Sequence, residues 1–158
     1  MSEKSADLRV VTYDPQYLPA FIALNREWIE KFFKIESNDV LQLENAETAI
    51  LQRGGEILFI LDGAEAIGTC AMIPHGESEY ELAKMAVSPK AQGRGAGDLL
   101  MRAAIGWARE RGAREVVLIS NTLLTPAIAL YKKHGFETTR LGPHPDYERG
   151  DIEMRLRL

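Results

Sequence analysis

The loop from Gln92 to Asp98 is the stretch whose residue types and spacing most directly suggest chemistry. Gly93, Gly95 and Gly97 alternate with Arg94, Ala96 and Asp98, after a run that reads as a strand ending at Val87 and before an apolar periodicity that reads as a helix starting near Ala96. Such a loop leaves backbone N–H groups free at a helix N-terminus, where the helix dipole also favours negative charge. It suits a phosphate or pyrophosphate, and a plain strand-to-helix turn is the bland alternative. No Gly-Lys-Ser or Gly-Lys-Thr closes the loop, so it is not a nucleoside-triphosphate loop. Asp98 stands where a dinucleotide-binding fingerprint needs its third glycine. Cys70 sits mid-strand beside Thr69 and Ala71, where a buried, inert thiol is expected. His75, His134 and His144 have no metal-ligand spacing, so no metal is expected.

The pattern Gln92-x-x-Gly95-x-Gly97 directly after a strand resembles the acetyl-coenzyme A loop of the GNAT (Gcn5-related) acetyltransferase superfamily, in small bacterial-type single-domain form. Two further matches follow in the family's order: Ser120-Asn121 at a strand end, then residues 127–136 with Tyr131, Gly135 and Phe136. The resemblance implies acetyl-coenzyme A as cofactor and direct acetyl transfer to a primary amine through a tetrahedral intermediate. It places the backbone of Met85, Ala86 and Val87 along the pantetheine arm, with the Met85 N–H facing the thioester carbonyl at a strand bulge. Gln92, Gly93, Arg94, Gly95, Ala96, Gly97 and Asp98 would hold the pyrophosphate, Asp98 with its carboxylate turned away. Asn121 would contact the cofactor or order its corner. Glu81, six residues before Val87, matches the family's general base. An amine with a pKa near ~10 is almost wholly protonated at neutral pH and must lose that proton before it attacks. The alternative is that Glu77, Glu79 and Glu81 form a solvated strand face. Tyr131 matches the tyrosine that protonates the departing thiolate, with a core tyrosine beside Phe136 as its alternative.

The same resemblance assigns the acceptor side to the first helices and the last hairpin: Trp28, Phe32, Glu36 and Asp39 from one end, Tyr147, Arg149 and Asp151 from the other. Lys84 either faces solvent or reaches a substrate carboxylate. An arginine among carboxylates suits an amino acid or another zwitterion; equally, Arg149 bridges acids of the protein itself.

These groups need elements to carry them. Residues 8–13 read as a first strand stopped by Asp14-Pro15, followed by a helix with Leu18, Phe21, Ile22, Trp28, Ile29 and Phe32 at helical spacing. Ser37-Asn38-Asp39 reads as a break or a cap, and residues 46–52 as a second helix ending at Gly54-Gly55. Residues 57–61 and 66–73 around Asp62-Gly63 make a hairpin, and residues 79–87 the next strand. The helix after the loop has its stripe at Leu99, Leu100, Ala103, Ala104, Trp107 and Ala108. Residues 116–119 are evenly apolar, as in a central strand. Pro126 starts a helix that Gly135 caps, and residues 136–140 and 152–158 supply the last two strands. The order βααβββαβαββ matches that of the family the chain resembles, and the resemblance implies an α/β (α+β) GNAT fold: a mixed, mostly antiparallel sheet of about seven strands flanked by about four helices.

At 158 residues and 46% hydrophobic content, residues 1–158 are expected to form a single domain. No apolar run approaches the ~20 residues that cross a bilayer, and residues 1–7 lack a signal peptide's apolar core. The single cysteine and the net charge of −4, with no basic run beyond Lys132-Lys133, point to a cytoplasmic protein with no nucleic-acid or membrane partner. The expected partner is a small-molecule or peptide amine, and a homodimer stays open. A non-catalytic acyl-coenzyme A binding or sensing module is the second reading; Glu81 and Tyr131 together favour an enzyme.

Overall fold

Three apolar runs set the centre of the molecule, because each can be buried on both faces only inside a sheet covered by helices on either side. The computed structural model describes residues 8–91, 93–145 and 147–158; residues 1–7 and Gln92, on which expectations were placed, lie outside the described residues. The elements are β1 (Leu8–Thr12), α1 (Leu18–Phe32), α2 (Ser37–Glu44), β2 (Glu56–Asp62), β3 (Glu65–His75), β4 (Glu79–Val87), α3 (Ala96–Glu110), β5 (Glu115–Ser120), α4 (Thr125–Lys133), β6 (Glu137–Leu141) and β7 (Ile152–Arg157). They occur in the expected order. The sheet runs β1-β2-β3-β4-β5-β7-β6, with every neighbour antiparallel except β4 and β5.

Side chains alternate across a strand, so β2 feeds two cores at once. Ile57, Phe59 and Leu61 pack with Phe21, Leu43, Ala46 and Ile50 on one face. Leu58 and Ile60 join Leu100, Met101, Ala104 and Ala108 of α3 on the other. Leu100, Met101 and Ala108 have no exposed surface, and burying a leucine or methionine fully is worth about 1.5–3 kcal/mol. The stripe of α3 therefore fixes that helix, and with it the glycine loop at its N-terminus, against the sheet.

One expectation needs correction. Of the two readings of residues 37–39, break or cap, the first fails and the second holds in part: they open α2, with Asp39 as one half of its capping box. Glu36 is its N-cap, its carboxylate accepting from the backbone of Asp39 while the Asp39 carboxylate takes the Glu36 N–H at 2.8 Å. This reciprocal closure satisfies two helix-end donors. The segment expected as the second helix is instead a π-helical turn, Glu47–Leu51. The reading failed because the cap here is a glutamate, where Ser, Thr, Asp or Asn is usual. Pro19 neither bends nor delays α1: it falls in the first turn, after a 3-10 turn at Pro15–Tyr17 capped by Asp14.

Two irregularities in the sheet position everything that follows. β4 and β5 pair only from Glu79↔Glu115 to Glu81↔Val117; past that point the ladder stops, while β5 continues along β7 to Ser120↔Ile152. In the β3–β4 ladder, Ala83 faces Ala71 and Ala86 faces Thr69, so Lys84 and Met85 together oppose Cys70 alone. That is a β-bulge. Lys84 has φ +53°, a left-handed conformation uncommon outside glycine.

Candidate active site

The parting of β4 from β5 opens a cleft in the sheet. Its walls are Glu81–Met85 of β4, Leu118–Asn121 at the end of β5, Asn25, Trp28, Ile29 and Phe33 from α1 and its end, Leu124 and Tyr131 around α4, and Tyr147, Arg149 and Gly150 before β7. Glu81 on β4 and Tyr131 on α4, the two expected proton carriers, thus line one space. The bulge at Lys84–Met85 lies in its floor, beyond the point where β4 stops pairing with β5.

Glu81 is 8% exposed and is not part of a solvated acid face. Its Oε1 lies 2.7 Å from Nε2 of His75, whose side chain is about half exposed at 47%. The hydrogen bond with Glu81 raises the His75 pKa above its ordinary value, against an opposing effect of burial. Sequence reading overlooked His75. The hairpin register does contain it: His75 pairs with Glu79, which puts Glu81 on its diagonal.

Tyr131 lines the cleft with its ring edge-on to Phe136, centroids 6.2 Å apart. Burial raises its pKa to about 12, with a hydrogen bond to Ser120 opposing, so the phenol keeps its proton at neutral pH. The packing alternative and the cleft position are therefore both true of this residue. Burial likewise pushes Cys70 up to about 12, an inert thiol.

The glycine loop lies at the start of α3. Gly95 is the N-cap with φ +74°, and Gly93 has φ +78° in the preceding turn. Leu99 N–H is bonded to Gly95 O; the N–H groups of Ala96, Gly97 and Asp98 precede any intrahelical acceptor. Nothing lies within 4 Å of a Cβ built at Gly93 or Gly95, whereas one at Gly97 would stand 3.2 Å from Leu130. Asp98 is drawn aside: its carboxylate meets Lys133 Nζ at 2.9 Å and His134 Nε2 at 2.8 Å, at the end of α4. Arg94 is held by Asp62 at 2.9 Å. Ala96 is buried in the core beneath the loop. Open backbone donors without an acid among them fit a pyrophosphate, and the unpaired stretch of β4, which includes Met85, Ala86 and Val87, fits an amide-bearing arm laid along it. Acetyl-coenzyme A has both, and its thioester supplies an activated acetyl group.

On the acceptor side the charges are organised around Asp39, which is fully buried. Its Oδ1 takes Lys84 Nζ at 2.9 Å and Arg149 Nη2 at 2.6 Å, and its Oδ2 takes Arg149 Nη1 at 2.7 Å. Burial alone would raise the Asp39 pKa; the bonds from Arg149 and Lys84 outweigh it and hold it at about 2. Glu36 takes a further bond from Arg149 Nη1 at 3.0 Å and the Glu148 N–H at 2.9 Å. The Tyr147 ring lies 5.1 Å from Lys84 Nζ and 4.9 Å from the Arg149 guanidinium. Lys84 does not face solvent: its side chain is 3% exposed. Arg149 bridges acids of the protein, the second of its two sequence alternatives.

Trp28, Lys84, Tyr147 and Arg149 line the cleft; Phe32 is half exposed and outside it, its place taken by Phe33. Phe32 is the last residue of α1, whereas Phe33 is its C-cap with extended backbone (φ −145°, ψ −157°), so the two rings leave the chain in different directions. Glu36 reaches the cleft only through Arg149. Asp151 is turned to Thr122, accepting from its N–H and Oγ1 at 2.8 Å each. Asn121 orders the same corner, its Nδ2 donating to Arg149 O at 2.6 Å.

A glycine loop at α3, a bulge at the end of β4 and a split between β4 and β5 form one continuous arrangement. The chain is 33% identical over 108 residues to mycothiol acetyltransferase from Corynebacterium glutamicum, a match covering 68% of this chain and 36% of that protein. It is 29% identical over 92 residues to N-acetyltransferase 8 from Rattus norvegicus, covering 55% of this chain and 41% of that one. The chain thus spans well under half the length of these two curated relatives. Among solved structures, a GNAT-family acetyltransferase from Staphylococcus aureus superposes with TM-score 0.86 at 21% identity, covering 96% of this chain and 99% of that one. Spermidine N-acetyltransferase from Vibrio cholerae, solved with CoA and spermine, superposes with TM-score 0.73 at 18% identity over 96% of both chains; at such identities the likeness is one of fold. The family model for the Acetyltransferase (GNAT) family matches residues 21–136, from α1 through the glycine loop to the end of α4, and the chain accordingly belongs to that family.

Proposed function

We propose that this protein moves the acetyl group of acetyl-coenzyme A directly onto a primary amine. The observation that carries the reading is the cleft itself: it brings a buried carboxylate, Glu81, and a protonated phenol, Tyr131, to one space whose floor is a strand bulge. The acyl donor enters along the unpaired stretch of β4, its pyrophosphate against the N–H groups of Ala96 and Gly97. Glu81 accepts the proton of the incoming ammonium, and His75 at 2.7 Å holds the carboxylate in place. The Met85 N–H donates to the acetyl carbonyl oxygen, where negative charge grows during attack; a donor fixed in place beforehand needs no reorganisation at that moment. Tyr131 gives its proton to the leaving sulfur, a modest contribution because a thiol of pKa near ~8.5 departs readily. The second proton of the attacking nitrogen, lost as the amide forms, restores the Tyr131 phenol directly or through water, and the Glu81 proton returns to solvent.

Release of free thiol from acetyl-coenzyme A, followed against a panel of primary amines, tests this directly. Amine-dependent release at a rate well above hydrolysis is the expected outcome. Binding of acetyl-coenzyme A with no release for any amine would instead leave a binding or sensing module.

A further inference from the structure

The charges around the cleft restrict the acceptor, an inference that rests on the acetyl-transfer reading above. Among the described residues, the cations lining the cleft are Lys84 and Arg149. Both are already engaged. Asp39 holds Lys84 at 2.9 Å and Arg149 at 2.6 and 2.7 Å, and takes the Glu36 N–H at 2.8 Å, so four donors converge on a carboxylate with no exposed surface. Glu36 adds a second carboxylate on Arg149 at 3.0 Å. Glu81 contributes a third acid to the same space; a proton on its neighbour His75 is shared with it at 2.7 Å and creates no spare cation. Much of the remaining acceptor-side wall is apolar or aromatic: Trp28, Ile29, Phe33, Leu118 and Tyr147.

An acceptor carboxylate entering here would have to displace Asp39 from its donors, or lie among acids without a partner. Either outcome weakens binding, because an unpaired buried charge is strongly disfavoured. We infer that the acceptor is a primary amine with no carboxylate beside its amino group, carried on an apolar or aromatic body. Asp39 sets this selectivity by occupying on Arg149 and Lys84 the place a substrate carboxylate would take. Specificity of this kind comes from a group built against the wrong ligand as much as from contacts to the right one.

The test compares thiol release from acetyl-coenzyme A with phenethylamine, phenylalaninamide and phenylalanine, three acceptors sharing one aromatic body. The first two bracket phenylalanine in amine basicity, so the carboxylate is the remaining difference. Their kcat/KM should exceed that of phenylalanine by about tenfold or more. Phenylalanine equal to or better than both overturns the acceptor class and leaves acetyl transfer standing. No release from any of the three, with acetyl-coenzyme A bound, overturns the acetyl-transfer reading and this inference with it. Asp39→Asn should narrow the gap in favour of phenylalanine by several fold. Should that variant fail to fold, Glu36→Gln keeps Asp39 and its donors while removing one of the two carboxylates on Arg149, and should narrow the gap in the same direction. An unchanged gap in a folded variant removes these acids from the selectivity.

Discussion

At the scale of residues, the two proton carriers make separable predictions. Glu81→Gln should lower kcat/KM at neutral pH by about 10²–10⁴, the usual range for a general base, and the loss should shrink with an acceptor amine of lower pKa or at higher pH. Tyr131→Phe keeps the ring against Phe136 but removes the proton, and its smaller defect should not respond to the amine's pKa. Steady-state rates of both variants with two amines of different pKa check this; a pKa response in Tyr131→Phe and none in Glu81→Gln would exchange the two roles. His75 adds a pH signature. Its folded pKa is raised, chiefly by the hydrogen bond to Glu81, so the pair's contribution to stability is full below the unfolded value near ~6.5. That contribution disappears as pH rises through the folded value. His75→Asn should therefore be less stable than the wild type at pH 5.5–6 (about one unit below the unfolded pKa) and indistinguishable from it in alkali, as denaturant melts would record.

Among the elements, α3 and α2 have different tasks. Gly95 needs φ +74°, a conformation that costs a residue with a Cβ roughly 1 kcal/mol or more. Nothing lies within 4 Å of the new Cβ, so Gly95→Val should stay folded while its side chain obstructs the face on which the pyrophosphate is proposed to rest. Acetyl-coenzyme A at 100 times its Kd should stabilise the wild type by ~2.7 kcal/mol through mass action; a thermal-shift titration should show that gain and its loss in Gly95→Val. α2 presents Asp39 from its third position, where the capping box and the ion pairs with Lys84 and Arg149 share one carboxylate. The folded Asp39 pKa of about 2 lies below its unfolded value of ~3.9, a difference of about 2–3 kcal/mol that is fully present above pH ~5. It is lost as pH falls through 2. Asp39→Asn should remove this part of the acid transition.

On the scale of the whole molecule, Lys84, Asp39 and Arg149 connect the bulge of β4 to α2 and to the segment before β7, three regions far apart in sequence. Removing Asp39 strands the buried Lys84 ammonium and leaves Arg149 with Glu36 alone, and should cost about 3–5 kcal/mol. Replacing Lys84 with Met leaves Asp39 still held by Arg149 and should cost less. Non-additivity in the Lys84→Met, Asp39→Ala double-mutant cycle, read by chemical denaturation, would measure the coupling; strict additivity would show that the pair does not tie these regions together.

The sequence by itself determined the parts that depend on local spacing. Apolar alternation and runs marked the strands, the helical stripe from Leu99 to Ala108 marked α3, and glycines that need open or left-handed backbone marked the loop before it. Those local patterns set the βααβββαβαββ order, and the family resemblance at residues 92–97 and 127–136 matched it to a known fold and added the roles attached to Glu81 and Tyr131. Elements such as these are specified by neighbours a few positions away, which is why they were legible. α2 was misplaced because its cap is a glutamate and its decisive bonds run to Arg149, about a hundred positions on. Tertiary structure alone decided the rest. The exposure of Phe32 and the placement of Phe33 in the cleft follow from where α1 ends, Phe33 being its extended C-cap. The pairing of His75 with Glu81 follows from hairpin register. The fate of Lys84 follows from a bulge that turns its side chain onto Asp39, where burial and one ion pair leave it no solvent to face.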